Sequence, residues 1–293
     1  MANLKEIRNS IASVTSTRQI TSAMKMVSAA KLRKSQDAVI KMRPYANKMQ
    51  EVLAEVCGNL DSASENTFIK QREIKKVLLL VVTSNRGLCG AFNSGLVRNA
   101  LQYAHENYPS QFEAGKVHFY CFGKKGYDFL NLRNFKIIGY DNQLFNNLKY
   151  LNAAKFAEEI IAKFAANEYD RIDLIYNRFK NAAVQIITTE QFLPIPIQKP
   201  DSKKGSRKFY FFEPNEEEII NTLIPKTLKT QLFKSLLDSF ASEQGARMTA
   251  MHKATDNATV LINHLKLTYN KARQAAITNE ILEIVSGANA LKS

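Results

Sequence analysis

The sequence has few helix-breaking residues, and its two terminal stretches have almost none. Of the 293 residues, 11 are glycine and seven are proline, and every proline lies between Pro44 and Pro225. From Lys226 to Gly287, Gly245 is the only interior glycine. An ordinary globular helix averages about 11–12 residues. The sequence therefore predicts one much longer C-terminal helix, which needs a partner to cover its apolar side.

Other absences exclude whole classes of protein. The three cysteines, Cys57, Cys89 and Cys121, have no CxxC spacing, and an odd number argues against a disulfide framework. Reduced thiols indicate a cytosolic-type compartment. No run of about 18 apolar residues is present, so we expect no direct membrane insertion. The first residues also lack the apolar core of a signal peptide.

The charge is strongly one-sided. The chain has 41 Lys+Arg against 27 Asp+Glu, a formal net charge of +14. Such an excess predicts acidic surroundings, which could be nucleic acid, anionic lipid or an acidic protein. Basic residues also predominate in residues 1–57. That stretch is either a helix with a solvated basic face or a rod that docks inside something negative.

Residues 1–57 contain no glycine and follow the spacing of three and four residues that is typical of a coiled coil. Two groups of apolar positions follow this spacing: Leu4, Ile7, Ile11 and Val14, and then Met42, Tyr45, Met49, Val52 and Val56. Arg18, Thr21 and Lys25 fall where apolar residues are due, so the pattern breaks between the groups. Pro44 predicts either a bend or a helix end just before it.

A similar seam is predicted on the C-terminal helix. It consists mostly of small residues, which suit close approach of a partner helix: Ala258, Leu261, Leu265, Thr268, Ala272, Ala275 and Asn279. With both ends helical, residues 1–58 and 215–293 are predicted to form a long antiparallel α-helical coiled coil. Any segment beyond the partner's reach would protrude unpaired.

The middle of the chain alternates strands and helices. Strands are predicted at Lys76–Thr83, Val117–Phe122, Phe135–Tyr140, Arg171–Phe179 and Ala183–Phe192, and helices at Ala91–His105, Lys124–Leu132 and Tyr150–Asn167. This order favours a parallel, doubly wound sheet, hence a Rossmann-like α/β insert over residues 74–195. Residues 196–214 are a proline-containing, basic connecting segment with a short aromatic strand candidate at Phe209–Phe212.

The loop Ser84–Gly90 is the best candidate for phosphate binding, because it joins a buried strand to a helix. It lacks both GxGxxG and the Lys-Ser/Thr of a P-loop. Its glycines serve either a tight turn or, less simply, a nucleotide. The four histidines are scattered and no catalytic motif is present. We expect no catalytic residue, no cofactor and no metal in this chain.

The remaining chemistry is contact chemistry near the C-terminus. Arg273, Gln274, Thr278, Glu280 and Glu283 place hydrogen-bonding side chains of both signs on one helix whose other side is apolar. This is either an ordinary helix end in solvent or a helix tip held by loops of a surrounding protein through charge-assisted hydrogen bonds.

Five blocks of sequence, inside this helix–insert–helix layout, resemble the gamma subunits of rotary F-type ATP synthases. The blocks are Ile20–Val27, Ser84–Asn93, Ser242–Met248, Ala254–Ala258 and Tyr269–Ile281. The resemblance covers essentially the whole chain, and five blocks in register are far more specific than one motif.

The resemblance implies a central rotor shaft that performs no bond chemistry itself. The terminal helices would lie in the bore of a ring of alternating alpha and beta subunits, and the α/β insert would lie with the epsilon subunit on the membrane ring of c subunits. Flow of protons or sodium ions would turn the shaft and drive ATP synthesis. The implied location is the cytoplasmic side of a bacterial inner membrane, as a peripheral subunit without nucleic acid.

The resemblance also implies roles for particular residues. Met24 and Lys25 would face an acidic lever region of the beta subunits, with Arg247 near Lys25. Arg273, Gln274, Thr278 and Glu280 would meet a catch loop of beta. Gly245 departs from the family, which more often has alanine there, and is expected to weaken the helix by roughly 0.5–1 kcal/mol.

Two other functions compete with the shaft. A nucleotide-dependent enzyme built on the α/β insert would need a glycine fingerprint and an acidic residue about 20 residues further on, and the fingerprint is missing. A basic coiled-coil nucleic-acid binder would show steep salt dependence of its affinity for duplex DNA.

Overall fold

The computed structural model describes residues 4–58, 67–196 and 216–290. At positions 57, 58, 216–218, 220, 289 and 290 it describes the backbone alone. The predicted strand at Phe209–Phe212 and most of the connecting segment 196–214 lie outside the described residues. Across the described ranges, no helix is both long and apolar enough to cross a membrane.

Six α-helices and five strands make up the described chain. In order they are α1 (Leu4–Gly58), β1 (Val77–Val82), α2 (Phe92–Asn107), α3 (Pro109–Glu113), β2 (Val117–Phe122), α4 (Lys124–Asn131), β3 (Ile137–Asp141), α5 (Tyr150–Ala165), β4 (Arg171–Phe179), β5 (Gln185–Leu193) and α6 (Glu216–Ala290). A short 3₁₀ turn, Leu144–Asn146, precedes α5. Helix α3 and this turn were not predicted from the sequence.

The chain divides into two compact units. The first consists of Met1–Ser28 with Met248–Ser293, and the second of Ala29–Arg247. The unit boundaries fall inside α1 and α6, so each long helix contributes to both units.

The sheet of the second unit has the strand order β3-β2-β1-β4-β5. The pairs β1–β2, β1–β4 and β2–β3 are parallel, as predicted. The prediction of a parallel sheet is wrong only at β5, which runs antiparallel to β4. A parallel crossover needs a dozen or more residues, whereas the connection 180–184 forms a tight turn in which Asn181 Oδ1 accepts hydrogen bonds from Ala183 N and Val184 N (3.0 and 2.7 Å).

Apolar cores lie on both faces of this sheet. Strand β1 is buried at every position, as its continuous apolar run predicts. Its residues Leu78, Leu80 and Val82 pack in a core with α5, the start of α6 and the end of α1. Residues Val77, Leu79 and Val81 pack in a second core with α2. The doubly wound arrangement therefore holds, with α6 as one of the covering helices.

The seven-residue rhythm of α1 does not break where the sequence suggested. In the first unit, Thr21 is buried and Arg18 and Lys25 are half-buried, so they occupy the same stripe as Ile7. The chemistry of the stripe becomes polar while its spacing persists. In the second unit the predicted stripe is only partly right. Val56 is buried as predicted, but Ala46 and Leu53 are buried as well, whereas Tyr45 is exposed and Val52 only half-buried.

Two details of the long helices differ from expectation. Helix α1 continues through Pro44, so the predicted alternative of a helix end before that residue is wrong. On α6, Leu261 is 46% exposed and Ile262 is 5% exposed. The predicted seam is therefore wrong at that position, because the buried side lies one residue further along the helix.

Candidate functional site

The carboxyl edge of the sheet is where a Rossmann-like fold normally binds its ligand, at the point where strand order reverses. In this sheet the reversal lies at β1, which is flanked by β2 and β4. The chain leaves β1 at Val82 and enters the loop Ser84–Gly90, while β4 ends at Phe179. The phosphate-binding interpretation of this loop depends on the crevice beside it being open.

Helix α6 fills that crevice. Ser239 Oγ donates a hydrogen bond to the carbonyl oxygen of Val82 at the end of β1 (3.3 Å), and Ser242 Oγ donates to the carbonyl oxygen of Asn177 in β4 (2.9 Å). Both serines are buried. A Cβ on Gly245 would lie 3.0 Å from the carbonyl oxygen of Ala182. The space that a nucleotide would need is thus taken by the chain's own helix, which argues against the nucleotide-dependent enzyme.

Arg247 continues these contacts into the loop itself. Its Nη2 donates to the carbonyl oxygens of Arg86 (3.0 Å) and Gly87 (3.3 Å), and its Nη1 lies 2.6 Å from Glu243 Oε1, one helical turn earlier. Arg247 is 8% exposed and Glu243 is also buried. Burial raises the pKa of the Glu243 carboxyl, and the Arg247 guanidinium beside it opposes that rise.

The loop Ser84–Gly90 is further held by its own hydrogen bonds. Ser84 N donates to Asn93 Oδ1 (2.9 Å), and Ser84 Oγ donates to the carbonyl oxygen of Arg86 (2.7 Å). Asn93 Nδ2 lies 3.2 Å from Cys89 Sγ. Burial raises the pKa of the Cys89 thiol. These bonds close the loop over the thiol.

The same loop presents an apolar side chain to solvent. Leu88 is 64% exposed and has φ = 62°, in the left-handed region that a leucine rarely adopts. Gly90 also has a left-handed φ of 60°. The loop therefore keeps an unfavourable backbone conformation while leaving Leu88 largely without apolar contacts.

Two of the predicted contact residues lie on α1 in the first unit. Met24 and Lys25 are half-buried, and the apolar Met26 and Val27 beside them are exposed. The Thr255 hydroxyl on α6 lies 2.9 Å from the Thr21 hydroxyl on α1. The two helices therefore meet at this level of the unit. Both of them line a cleft of about 410 Å³, at Arg18, Gln19, Ser22, Thr255 and Thr259.

The other predicted contacts lie on α6. Arg273, Gln274, Thr278 and Glu280 are all exposed in the first unit. They lie within about 10 Å along one helix, and Thr278 Oγ1 donates to the carbonyl oxygen of Gln274 (2.9 Å). Exposed apolar side chains accompany them at Ile277, Ile281, Leu282, Ile284 and Val285. Arg247 does not belong to this group, since it lies in the second unit.

Sequence reasoning missed the buried polar side chains of α6. Ser239, Ser242, Asp238 and Glu243 are all buried and face the sheet or its loops. The signal that could have revealed them is a row of small hydroxyl residues and acids within an otherwise apolar helix. In the part of the chain that the structure describes, no group of three or more His, Cys, Asp or Glu side chains could hold a metal ion.

Known proteins resemble this chain over nearly its full length. The ATP synthase family matches residues 3–291. The ATP synthase gamma chain of Flavobacterium psychrophilum is 59% identical over 293 residues, covering 100% of both chains. That of Flavobacterium johnsoniae is 59% identical over 292 residues, covering 99% of both.

Solved structures have the same fold. A chain of the central stalk and c-ring structure of the Tetrahymena thermophila mitochondrial ATP synthase is 27% identical, with a TM-score of 0.60, and the match covers 80% of this chain and 99% of that one. A rotor chain of the Euglena gracilis mitochondrial ATP synthase has a TM-score of 0.65 at 21% identity, covering 94% and 98%, which supports the fold alone. The chain therefore belongs to the ATP synthase gamma-chain family, the non-catalytic subunit that forms the central shaft of the enzyme.

Proposed function

We propose that the first unit is the part of the shaft that turns inside a ring of alternating alpha and beta subunits. In this proposal the shaft comprises residues 1–58 and 215–293, and the Rossmann-like domain 74–195 lies with the epsilon subunit on the c ring. Residues 196–214 connect the two. Flow of protons or sodium ions through the membrane part turns the c ring and, with it, this chain.

The exposed polar side chains on α6 carry the proposal. Arg273 and Glu280 are exposed in the first unit, and neither forms an ion pair with another described residue. Exposed charges without an ion-pair partner add little stability to a helix on its own. A surrounding protein can pair with such charges through charge-assisted hydrogen bonds. Arg273, Gln274, Thr278 and Glu280 are the proposed contacts with a beta catch loop.

A second contact surface is proposed on α1. Met24 and Lys25 would meet an acidic region of the beta subunits, beside the exposed apolar side chains of Met26 and Val27. The net charge of +14 favours acidic partners. Arg247 is proposed to contribute to the ring-facing surface as well, although its guanidinium is buried against Glu243.

The location follows from the same proposal. The two Flavobacterium gamma chains that are 59% identical to this chain come from bacteria. We propose a peripheral position on the cytoplasmic side of a bacterial inner membrane, as part of the complex that carries out ion transport and ATP synthesis. Neither nucleic acid nor direct membrane insertion has a place in this function.

The contact surface is tested in the assembled enzyme. We expect Arg273→Ala/Gln274→Ala, co-expressed with all the other subunits of the complex, to lower complex yield or ATP-driven ion pumping, since each charged hydrogen bond contributes about 1.5–3 kcal/mol. Lys155→Ala/Glu159→Ala on α5 is the matched control, because both residues are exposed and lie outside the proposed surface. Yield and pumping equal to those of the control would refute the assigned contacts.

A further inference from the structure

Arg247 has too little exposed surface to act mainly through a partner. Its guanidinium is shared between Glu243 on its own helix and two backbone carbonyls of the loop Ser84–Gly90. An arginine that bonds to a carboxylate and to two carbonyls at once is fixed in direction, because its donors form a rigid fork. The side chain therefore connects α6 to the loop after β1.

We infer that Arg247 is a positioning residue, which holds the loop Ser84–Gly90 against α6 and so fixes the exposed side chains of that loop. We call Arg247, Glu243 and the carbonyls of Arg86 and Gly87 the loop clasp. This inference refines the proposed function, since it gives Arg247 a structural part within the second unit in place of a direct contact with the ring.

The backbone of the loop shows why a clasp is needed. Leu88 is left-handed and exposed, so its conformation gains nothing from burying the side chain. Such a residue persists only where its surroundings determine the backbone on both sides. The carbonyl of Gly87 directly precedes Leu88 and is one of the two that Arg247 holds. Without the clasp, the loop is free to relax toward ordinary backbone conformations.

Other contacts of α6 attach the helix to the same strands that carry the loop. Ser239 and Ser242 fix α6 to the carbonyl oxygens of Val82 and Asn177, at the ends of β1 and β4. The clasp adds the loop to this attachment. Helix, central strands and loop then form one rigid part of the second unit, and Arg86 and Leu88 keep a constant position on its surface.

Cys89 provides a reporter for the clasp. Its thiol is 2% exposed beneath the loop, so it reacts with a maleimide only when the loop opens. Cys121 is fully buried in β2 and reacts only after more extensive unfolding. A full-length chain with Cys57→Ala, labelled with N-ethylmaleimide and analysed by peptide mass spectrometry, reports both thiols in one experiment.

We expect Arg247→Gln to accelerate labelling of Cys89 by about tenfold or more, since it removes the charged donor that holds two carbonyls. Labelling of Cys121 should stay slow. We expect a smaller acceleration in Glu243→Gln, because Arg247 then loses one partner but keeps both carbonyls. The positive charge of Arg247 lowers the pKa of Cys89. A purely electrostatic role would therefore make labelling slower in Arg247→Gln.

The inference is overturned by either of two results. Labelling of Cys89 that is unchanged or slower in Arg247→Gln would show that the loop does not depend on the arginine. Equal acceleration of Cys89 and Cys121 would show general destabilisation instead of a clasp. Neither result bears on the ring contacts proposed for Arg273 and Gln274, which the assembly experiment tests separately.

Discussion

Arg43 of α1 and Asp238 of α6 form an ion pair of 2.6 Å in the second unit. The same nitrogen, Arg43 Nη2, also donates to the carbonyl oxygen of Phe179 at the end of β4 (2.5 Å). One guanidinium thus connects both long helices to the sheet. The Asp238 side chain is fully buried, whereas that of Arg43 is 35% exposed. The carboxylate therefore depends on its arginine much more than the arginine depends on the carboxylate.

Removing the arginine should be costly. We expect Arg43→Ala to lower the free energy of unfolding by about 3 kcal/mol, because it leaves a buried carboxylate without its cation. Arg43→Met/Asp238→Leu should recover most of that loss, since it removes both charges. Lys48→Ala on the same helix is the control: its pair with Glu51 is exposed and contributes about 0–1 kcal/mol. Denaturant unfolding of the full chain measures all three, and equal losses for Arg43→Ala and Lys48→Ala would contradict the prediction.

The pH dependence of stability should show the burial of Asp238. Burial raises the pKa of this carboxyl, more than the hydrogen bond and charge of Arg43 lower it. A raised pKa means that the folded chain holds the proton more tightly than the unfolded chain. The stability that the folded chain gains by binding this proton more tightly is therefore fully present below the unfolded pKa of about 3.9. It is lost as pH rises through the folded pKa.

Comparison with Asp238→Asn isolates this effect. We expect the unfolding free energy of the original chain, minus that of the variant, to decrease as pH is raised from about 4. Urea unfolding at a series of pH values measures the difference. A difference that increases with pH would mean that the native pKa is lowered, and so that the ion pair outweighs burial.

Gly245 has a packing role in the structure that the sequence does not show. From the sequence, this glycine is a weak point that alanine would strengthen. In the structure, a Cβ at this position would lie 3.0 and 3.3 Å from Ala182 O and Cα. Ala182 O already accepts a hydrogen bond from Gln185 Nε2 (3.1 Å), so the turn is not free to move. The glycine is needed for the close approach of α6 to the β4–β5 turn.

We expect Gly245→Ala to destabilise the chain by about 1 kcal/mol, because overpacking outweighs the gain in helix propensity. Gly287→Ala is the matched control on the same helix, since nothing lies within 4 Å of its added Cβ. That variant should be neutral or slightly stabilising. Thermal unfolding measures both, and a higher midpoint for Gly245→Ala would show that the turn yields easily.

The sequence was informative wherever local pattern determines structure. The apolar run of β1 and the long helices without breakers follow from periodicity, and the parallel strands follow from alternation of strands and helices. The direction of β5 does not follow from that alternation, because only the short turn 180–184, without a helix, joins β4 to β5. The stripe at Arg18, Thr21 and Lys25 is polar, so apolar character alone predicts a break where the spacing in fact continues.

The candidate site was less predictable because it depends on tertiary contacts. Nothing local shows that Ser239, Ser242 and Arg247 bond to carbonyl groups of Val82, Asn177 and Gly87, which are distant in sequence. Arg273, Gln274, Thr278 and Glu280 are exposed, and their role in contacts with a partner stays a prediction.

The polar contact between Thr21 and Thr255 should contribute modestly to the first unit. Thr255 Oγ1 lies 2.9 Å from Thr21 Oγ1 and 2.8 Å from Met251 O, and its single hydrogen can serve one acceptor at a time. In a double-mutant cycle with Thr21→Val and Thr255→Val, we expect a coupling energy of about 0.5–1 kcal/mol. Chemical denaturation provides the four free energies. A coupling energy indistinguishable from zero would mean that Thr255 bonds only to its own helix.

Substitutions at the two left-handed residues of the loop Ser84–Gly90 are expected to change the stability of the chain in opposite directions. Leu88→Asn should stabilise the chain by about 0.5–1 kcal/mol, because asparagine tolerates φ near 60° better than leucine does, and the exposed leucine loses few contacts. Gly90→Ala should destabilise it by about 1 kcal/mol, because the alanine is strained at φ = 60° even though its Cβ meets nothing within 4 Å.

These opposite signs separate backbone strain from side-chain packing. If packing controlled the loop, replacing the apolar Leu88 would be unfavourable, and filling the open space beside Gly90 would be harmless. Unfolding midpoints of the two variants distinguish the alternatives, and a loss of stability in Leu88→Asn would refute the strain argument. A gain in Leu88→Asn should also reduce the effect of Arg247→Gln on Cys89 labelling, because a loop with less strain needs less help from the clasp.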